Sequence, residues 1–189
     1  MYKKEIRRKF LAQRKSFSNE DFQKACEAIT KGFFAYADLS KVQFLHSFLP
    51  ILHHHEIDSW QIINQLPANI KVVVPKSDFK DCSMQGYLLE KTDLHTNEWG
   101  IPEPSGNGMP IPDQEIDMVI VPLLAFDKKG YRVGYGKGFY DRFFKNCRKD
   151  IKKVGLSLLP PVDTIEDLNP FDEPLDAVIT PHQVYSFKS

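Results

Sequence analysis

Hydrophobic positions along the chain change their period several times, and each change marks an element. Residues 3 to 15, KKEIRRKFLAQRK, set Ile6, Phe10 and Leu11 inward on a short basic helix. Ser18 followed by Asp21 is a helix-start signal, and Phe22, Ala25, Cys26, Ile29 and Phe33 then recur at helical spacing. The apolar run 42–52 predicts a buried strand. Residues 56–66 predict a helix with Ile57 or Trp60, Ile63 and Leu66 on one face. Short strands are expected at 71–76 and 83–89. The Pro- and Gly-rich stretch 97–115 reads as a loop, and 116–126 as another buried strand. A helix at about 138–148 and strands at 154–159 and 176–181 complete the pattern. Strands that are apolar on both faces and alternate with helices predict an α/β domain with a mostly parallel sheet.

Composition adds constraints. With 189 residues and no linker or internal repeat, a single domain over 1–189 is expected. The 42% hydrophobic content suffices for a core, and no apolar run is long enough to span a bilayer. Formal net charge is zero, which disfavours a binder of nucleic acid held by phosphate contacts. Cys26, Cys82 and Cys147 are scattered and odd in number, as in a reducing, cytoplasmic setting. His53, His54 and His55 are adjacent; on an extended chain such side chains alternate in direction and are poorly placed to chelate one ion.

The densest chemical signal is GYRVGYGKGFYDRFF, residues 130–144. It lies between a predicted buried strand and a predicted helix, where α/β sheets bind ligands. Glycines there let backbone N–H groups approach a phosphate, Arg132 and Lys137 add cationic donors, and Asp141 is placed to hold Mg²⁺. The run matches neither the Walker A spacing nor the dinucleotide fingerprint, since Gly138 follows Lys137 and Phe139 stands where a third glycine is needed. A surface loop, with Asp141 merely favouring a helix dipole, accounts for the same residues.

The segment RVGYGKGFYD, preceded by FDKKG, resembles the signature of the 5-formyltetrahydrofolate cyclo-ligase family. Further landmarks occur in the family's order: KKEIR with Lys3 and Arg7, EIDS from Glu56, WGIPEP at 99–104, and DAVI from Asp176. Ser59 stands where the family has Thr, and Lys76 where relatives commonly carry Arg. The resemblance implies a three-layer α/β/α fold like that of phosphosugar isomerases and CoA-transferases. It implies cyclisation of 5-formyltetrahydrofolate, or its polyglutamylated forms, to 5,10-methenyltetrahydrofolate with ATP and Mg²⁺; a monomer is expected. Lys3, Lys4, Arg7 and residues Arg132, Val133, Gly134, Tyr135, Gly136, Lys137, Gly138, Phe139 and Tyr140 would bind ATP. Lys137, Arg132 and Tyr140 would act on the transferred group. Ile51, Glu56, Trp99 and Tyr140 would contact the folate, and Asp141 and Asp176 would hold Mg²⁺. Other readings stay open on the residues alone: a phosphosugar isomerase or acyltransferase on the same scaffold, a non-catalytic folate or nucleotide binder, or a nucleic-acid binder using the basic helix.

Overall fold

The computed structural model describes residues 1–51, 54–97 and 100–187. Helices α1 (Lys3–Lys15) and α2 (Asn19–Tyr36) lead to strand β1 (Phe44–Ser47), the short helix α3 (Trp60–Ile63), and strands β2 (Lys71–Asp78) and β3 (Ser83–Leu88). Strands β4 (Leu94–Thr96), β5 (Pro102–Pro104), β6 (Pro110–Ile111), β7 (Met118–Pro122), β8 (Ala125–Phe126) and β9 (Arg132–Val133) follow. Helix α4 (Phe139–Asn146) and strands β10 (Lys152–Leu156), β11 (Ala177–Ile179) and β12 (Val184–Ser186) close the chain.

Eight strands form the main sheet in the order β12-β11-β10-β7-β1-β2-β3-β6. The central pairs from β11 to β2 are parallel, and β12, β3 and β6 join antiparallel at the edges. Successive side chains of a strand point to opposite faces. Leu45, Ile120, Val154 and Ile179 therefore pack under Phe22, Cys26, Ile29 and Phe33 of α2. Phe44, Val119, Val121 and Val178 meet Phe143 and Phe144 of α4 on the other face. The mostly parallel sheet is the one that the two-faced apolar strands predict, and its two helical layers give the three-layer α/β/α arrangement that the family resemblance implies. Helix α1 lies outside the layers, with Ile6 and Phe10 against Leu124, Ala125 and Val133 of the β8–β9 hairpin.

Several boundaries differ from the sequence reading for identifiable reasons. The helix expected over 56–66 is confined to Trp60–Ile63. Ahead of it, polar side chains take backbone partners that compete with helix formation: Glu56 accepts from the Ile51 N–H, Asp58 from the Trp60 N–H, and Ser59 donates to the Phe48 carbonyl. The strand expected over 116–126 breaks after Pro122, because the Leu124 N–H turns to the Val133 carbonyl and starts the hairpin. The loop 97–115 carries β5, β6 and a 3-10 turn at Asp113–Glu115.

Candidate active site

The hairpin turn FDKKG is organised by the fully buried Asp127, whose Oδ1 accepts from the Lys129 and Tyr131 N–H groups. Gly130 there has φ +87°, and a Cβ would stand 2.8 Å from the Phe187 ring and 2.9 Å from the Leu175 carbonyl. This glycine is required by the fold. The next three face a ligand-sized space. A Cβ on Gly134 would meet nothing within 4 Å. Gly136 has φ +99° and sits against the Arg7 guanidinium, and Gly138, at φ +71°, is the N-cap of α4. The four glycines thus divide between a turn and a cradle.

That cradle forms one wall of a cavity of about 880 Å³ beyond the carboxyl ends of β1 and β7, the usual ligand position in an α/β sheet. Its cations are Lys3, Arg7, Arg132, Lys137, Arg142 and Lys145. Its carboxylates are Glu56, Glu103, Asp141 and Asp172. The most buried of these charges are paired. Lys3 Nζ meets Asp172 Oδ2 at 2.5 Å, with both side chains largely inside. Arg132 donates to Asp141 Oδ1 at 2.8 Å and to the Glu173 carbonyl at 2.6 Å, while its guanidinium lies over the Phe144 ring. Arg7 Nε donates to the Gly134 carbonyl at 2.9 Å and so ties α1 to the glycine loop.

Across the cavity, Glu56 is buried. Its Oε2 accepts from the Ile51 N–H at 2.9 Å and its Oε1 from the Tyr135 hydroxyl at 3.0 Å. Burial raises the Glu56 pKa; the Ile51 hydrogen bond, the Arg14 charge and the Tyr135 hydrogen bond oppose that rise. Burial and the nearby Glu56 charge push the Tyr135 and Tyr140 hydroxyls up, so both stay protonated at neutral pH. The Tyr140 ring packs edge-on to His46, a wholly buried imidazole whose pKa falls to about 3 through desolvation, so it is neutral.

Most of the expected site residues meet in this cavity: Lys3, Arg7, Ile51, Glu56, Arg132, Gly134, Tyr135, Gly136, Lys137, Gly138, Phe139, Tyr140 and Asp141 all line it. Four do not. Lys4 is exposed and outside the lining, because only every third or fourth position of α1 faces the loop. Val133 is core, since β9 alternates direction and turns it toward Ile6 and Phe10. Asp176 precedes β11, and its Oδ2 accepts from the Lys153 N–H at 2.7 Å near the amino end of β10, so it joins strands instead of lining the cavity. Trp99 lies outside the described residues, as does His53. Lys76 is also outside the lining and donates to the Ser105 carbonyl. His55 is engaged at Nδ1 with the Arg14 carbonyl, and His54 lines the cavity. Among the described residues no group of three or more His, Cys, Asp and Glu is gathered for a metal ion.

Sequence reasoning missed two residues. Asp172 belongs to the acidic run FDEPLD, in which nothing but the fold tells which carboxylate faces inward. Arg14 is buried, and it follows Lys3 and Arg7 at the spacing of one helical face, a signal that was legible.

A doubly covered, mostly parallel sheet with a cationic glycine loop opposite a buried carboxylate defines an α/β ligand-binding domain suited to an anionic group beside a hydrogen-bonding one. The model of the 5-formyltetrahydrofolate cyclo-ligase family matches residues 1–181, and the chain belongs to that family. A probable 5-formyltetrahydrofolate cyclo-ligase of Schizosaccharomyces pombe is 38% identical over 133 residues, 60% of this chain and 62% of that protein. The mitochondrial 5-formyltetrahydrofolate cyclo-ligase of Arabidopsis thaliana is 29% identical over 185 residues, 84% of this chain and 66% of that one. The match thus spans less than two thirds of these curated relatives' length. The solution structure of Aquifex aeolicus 5,10-methenyltetrahydrofolate synthetase superposes with a TM-score of 0.80 at 25% identity, covering 100% of this chain and 94% of that one. The Mycoplasma pneumoniae synthetase has the same fold, with a TM-score of 0.75 at 21% identity, covering 96% and 99%.

Proposed function

We propose that this protein is a ligase of folate one-carbon metabolism that cyclises 5-formyltetrahydrofolate to 5,10-methenyltetrahydrofolate, using ATP and Mg²⁺ and releasing ADP and phosphate. The observation that carries the reading is the shared cavity. Glu56 stands on one side, and the cradle of Gly134, Gly136 and Gly138 with Arg132, Lys137 and Asp141 stands on the other. Family membership and the names of the relatives support it.

A formamide oxygen is a poor leaving group. In the proposed reaction it attacks the γ-phosphorus, ADP departs, and an iminium phosphate forms. N10 then attacks the activated carbon and loses its proton, and phosphate leaves. Such transfer needs alignment and charge neutralisation more than a protein nucleophile. Lys3, Arg7, Arg132 and Lys137 supply cations, and the N-terminus of α4 presents backbone N–H groups behind Gly138. Glu56 keeps lone pairs beyond those used by Ile51 and Tyr135, and these accept from the pterin amino and ring N–H groups. Ile51 and Tyr140 flank that carboxylate as apolar walls.

The donor set fits a hard cation: Asp141 and Asp172 both line the cavity beside the phosphate cradle. Bound Mg²⁺ would neutralise phosphate charge there. Both carboxylates are paired with cations, Asp141 with Arg132 and Asp172 with Lys3. Asp141 and Asp172 would hold the ion, and Arg132 and Lys3, their partners in this structure, would then be available to pair with phosphate oxygens. Asp172 replaces Asp176 in this role. The proposed enzyme is a monomer in a reducing, cytoplasmic setting, where the free thiols of Cys26, Cys82 and Cys147 would persist. Among the described residues no helix is long and apolar enough to cross a membrane.

The test is turnover. Purified protein is mixed with 5-formyltetrahydrofolate, ATP and Mg²⁺, and the near-ultraviolet absorbance of the methenyl product is followed. An increase that requires both ATP and Mg²⁺ is expected. No increase, with no ADP formed, overturns the reading.

A further inference from the structure

Arg14 and Tyr135 stand out because the proposed reaction uses neither, yet together they fix the carboxylate that it needs. Arg14 lies in the last turn of α1 and is only 4% exposed, which is rare for an arginine. Its Nη2 donates to the Leu123 carbonyl at 2.6 Å, and its Nη1 to the Tyr135 hydroxyl oxygen at 3.3 Å. A guanidinium can only donate, so the tyrosine oxygen must accept and its proton must point elsewhere. It points to Glu56 Oε1, 3.0 Å away. The chain Arg14 to Tyr135 to Glu56 therefore has one polarity, and every link in it favours an ionised Glu56. The Arg14 charge and the Tyr135 hydrogen bond both oppose the effect of burial on this carboxylate.

Tyr135 also belongs to the nucleotide side. It sits between Gly134 and Gly136, and Arg7 holds the Gly134 carbonyl. Helix α1 thus grips the glycine loop at two points on one face, Arg7 and Arg14, two turns apart. Almost half of Tyr135 is exposed although its hydroxyl is engaged, so the ring bridges the open cavity between the phosphate cradle and the buried carboxylate. Any shift of the loop toward a bound triphosphate would carry with it the hydroxyl that holds Glu56.

We propose that Arg14 and Tyr135 are positioning residues that aim the Glu56 carboxylate at the folate, and that Tyr135 links folate affinity to nucleotide occupancy. This rests on the folate and ATP reading above. The linkage is reciprocal: whatever factor the nucleotide imposes on folate, folate imposes on the nucleotide.

The experiment measures the Kd of 5-formyltetrahydrofolate with and without a non-hydrolysable ATP analogue and Mg²⁺. The full chain is compared with Tyr135→Phe, Arg14→Gln and Arg14→Lys. In the wild type the two Kd values are expected to differ by about fivefold or more, the lower end of typical coupling. Tyr135→Phe keeps the ring and removes one charge-assisted hydrogen bond. It is expected to weaken folate binding about tenfold and to bring the ratio of the two Kd values near one. Arg14→Gln should do the same, and Arg14→Lys, which keeps the charge and a donor, should recover part of the affinity. A merely structural role would lower thermal stability and leave the ratio alone. Wild-type binding and turnover together with an unchanged Kd and ratio in Tyr135→Phe overturn this proposal and spare the function. A wild type that binds no 5-formyltetrahydrofolate overturns both.

Discussion

Replacing Asp172 and Asp176 separately by Asn tests the site where sequence and structure diverge. Asp172 faces the cavity with its side chain 16% exposed, and its Oδ2 lies 2.5 Å from Lys3 Nζ. Two unit charges about 4 Å apart interact by about 4 kcal/mol at an effective dielectric of 20. Mg²⁺ carries two charges, but solvent and neighbouring cations screen it. A net loss of about 2 kcal/mol for Asp172→Asn is therefore a conservative figure, and it corresponds to about a thirtyfold rise in the Mg²⁺ concentration giving half-maximal rate. The same change leaves Lys3, 11% exposed at its side chain, without its charged partner, so the melting temperature should also fall. Asp176→Asn retains an oxygen that accepts from the Lys153 N–H, and should cost about 1 kcal/mol of stability. Its Mg²⁺ requirement should match the wild type. The assay is initial rate against Mg²⁺ at saturating ATP and folate, with thermal unfolding of each variant alongside. A raised Mg²⁺ requirement in Asp176→Asn, with a normal one in Asp172→Asn, refutes the assignment of the cavity carboxylates.

Glu56→Gln sets stability against binding. Burial raises the Glu56 pKa in the fold, so the folded state binds the proton more tightly than the unfolded chain. The contribution of Glu56 to stability is therefore full below its ordinary pKa and is lost as pH rises through the raised value. In urea unfolding the stability of Glu56→Gln relative to wild type should therefore gain between acid and pH 7, although its amide NH2 must face the Ile51 or the Tyr135 donor, while the KM for folate rises about tenfold or more through the lost charged acceptor. A gain that grows toward acid would contradict that sign. The glycines separate fold from site. Gly130→Ala should abolish soluble expression or lower the melting temperature severely, because its Cβ meets Phe187 and the Leu175 backbone. Gly134→Ala, in open space, should fold normally and raise the KM for ATP. Equal melting temperatures for these two variants would undo the division of the glycine run.

Periodicity was a good guide where burial alone decides structure. Phe22, Ala25, Cys26, Ile29 and Phe33 repeat at helical spacing because one face of α2 rests on the sheet. Strands β1, β7 and β11 read as apolar runs because both faces are covered. Periodicity failed where side chains take over backbone partners. Glu56, Asp58 and Ser59 interrupt the helix expected from residue 56 by bonding to Ile51, Trp60 and Phe48. These contacts depend on how the chain returns to the end of β1, which no local window contains.

The site was legible to the extent that its residues share a short segment. Residues 134–141 carry their spacing with them, so the cradle, its cations and Asp141 arrive together. Asp172 and Asp176 show the opposite case. They stand four residues apart in one acidic run, with equal chemistry and similar neighbours. One is drawn inward by Lys3 from the first turn of α1, and the other is held at the sheet by the backbone of β10. The choice between them is made by elements more than 160 and about 20 residues away in sequence, as the separations of those two contacts show. Arg14 lies between these extremes. Its phase with Lys3 and Arg7 marks a cationic stripe on α1 that hydrophobic spacing alone passes over, and burial turns that stripe from a solvated face into the clamp on the glycine loop. Charged residues that keep helical phase with a buried apolar stripe therefore warrant the same attention as the stripe itself, since here they set the two points at which α1 holds the loop.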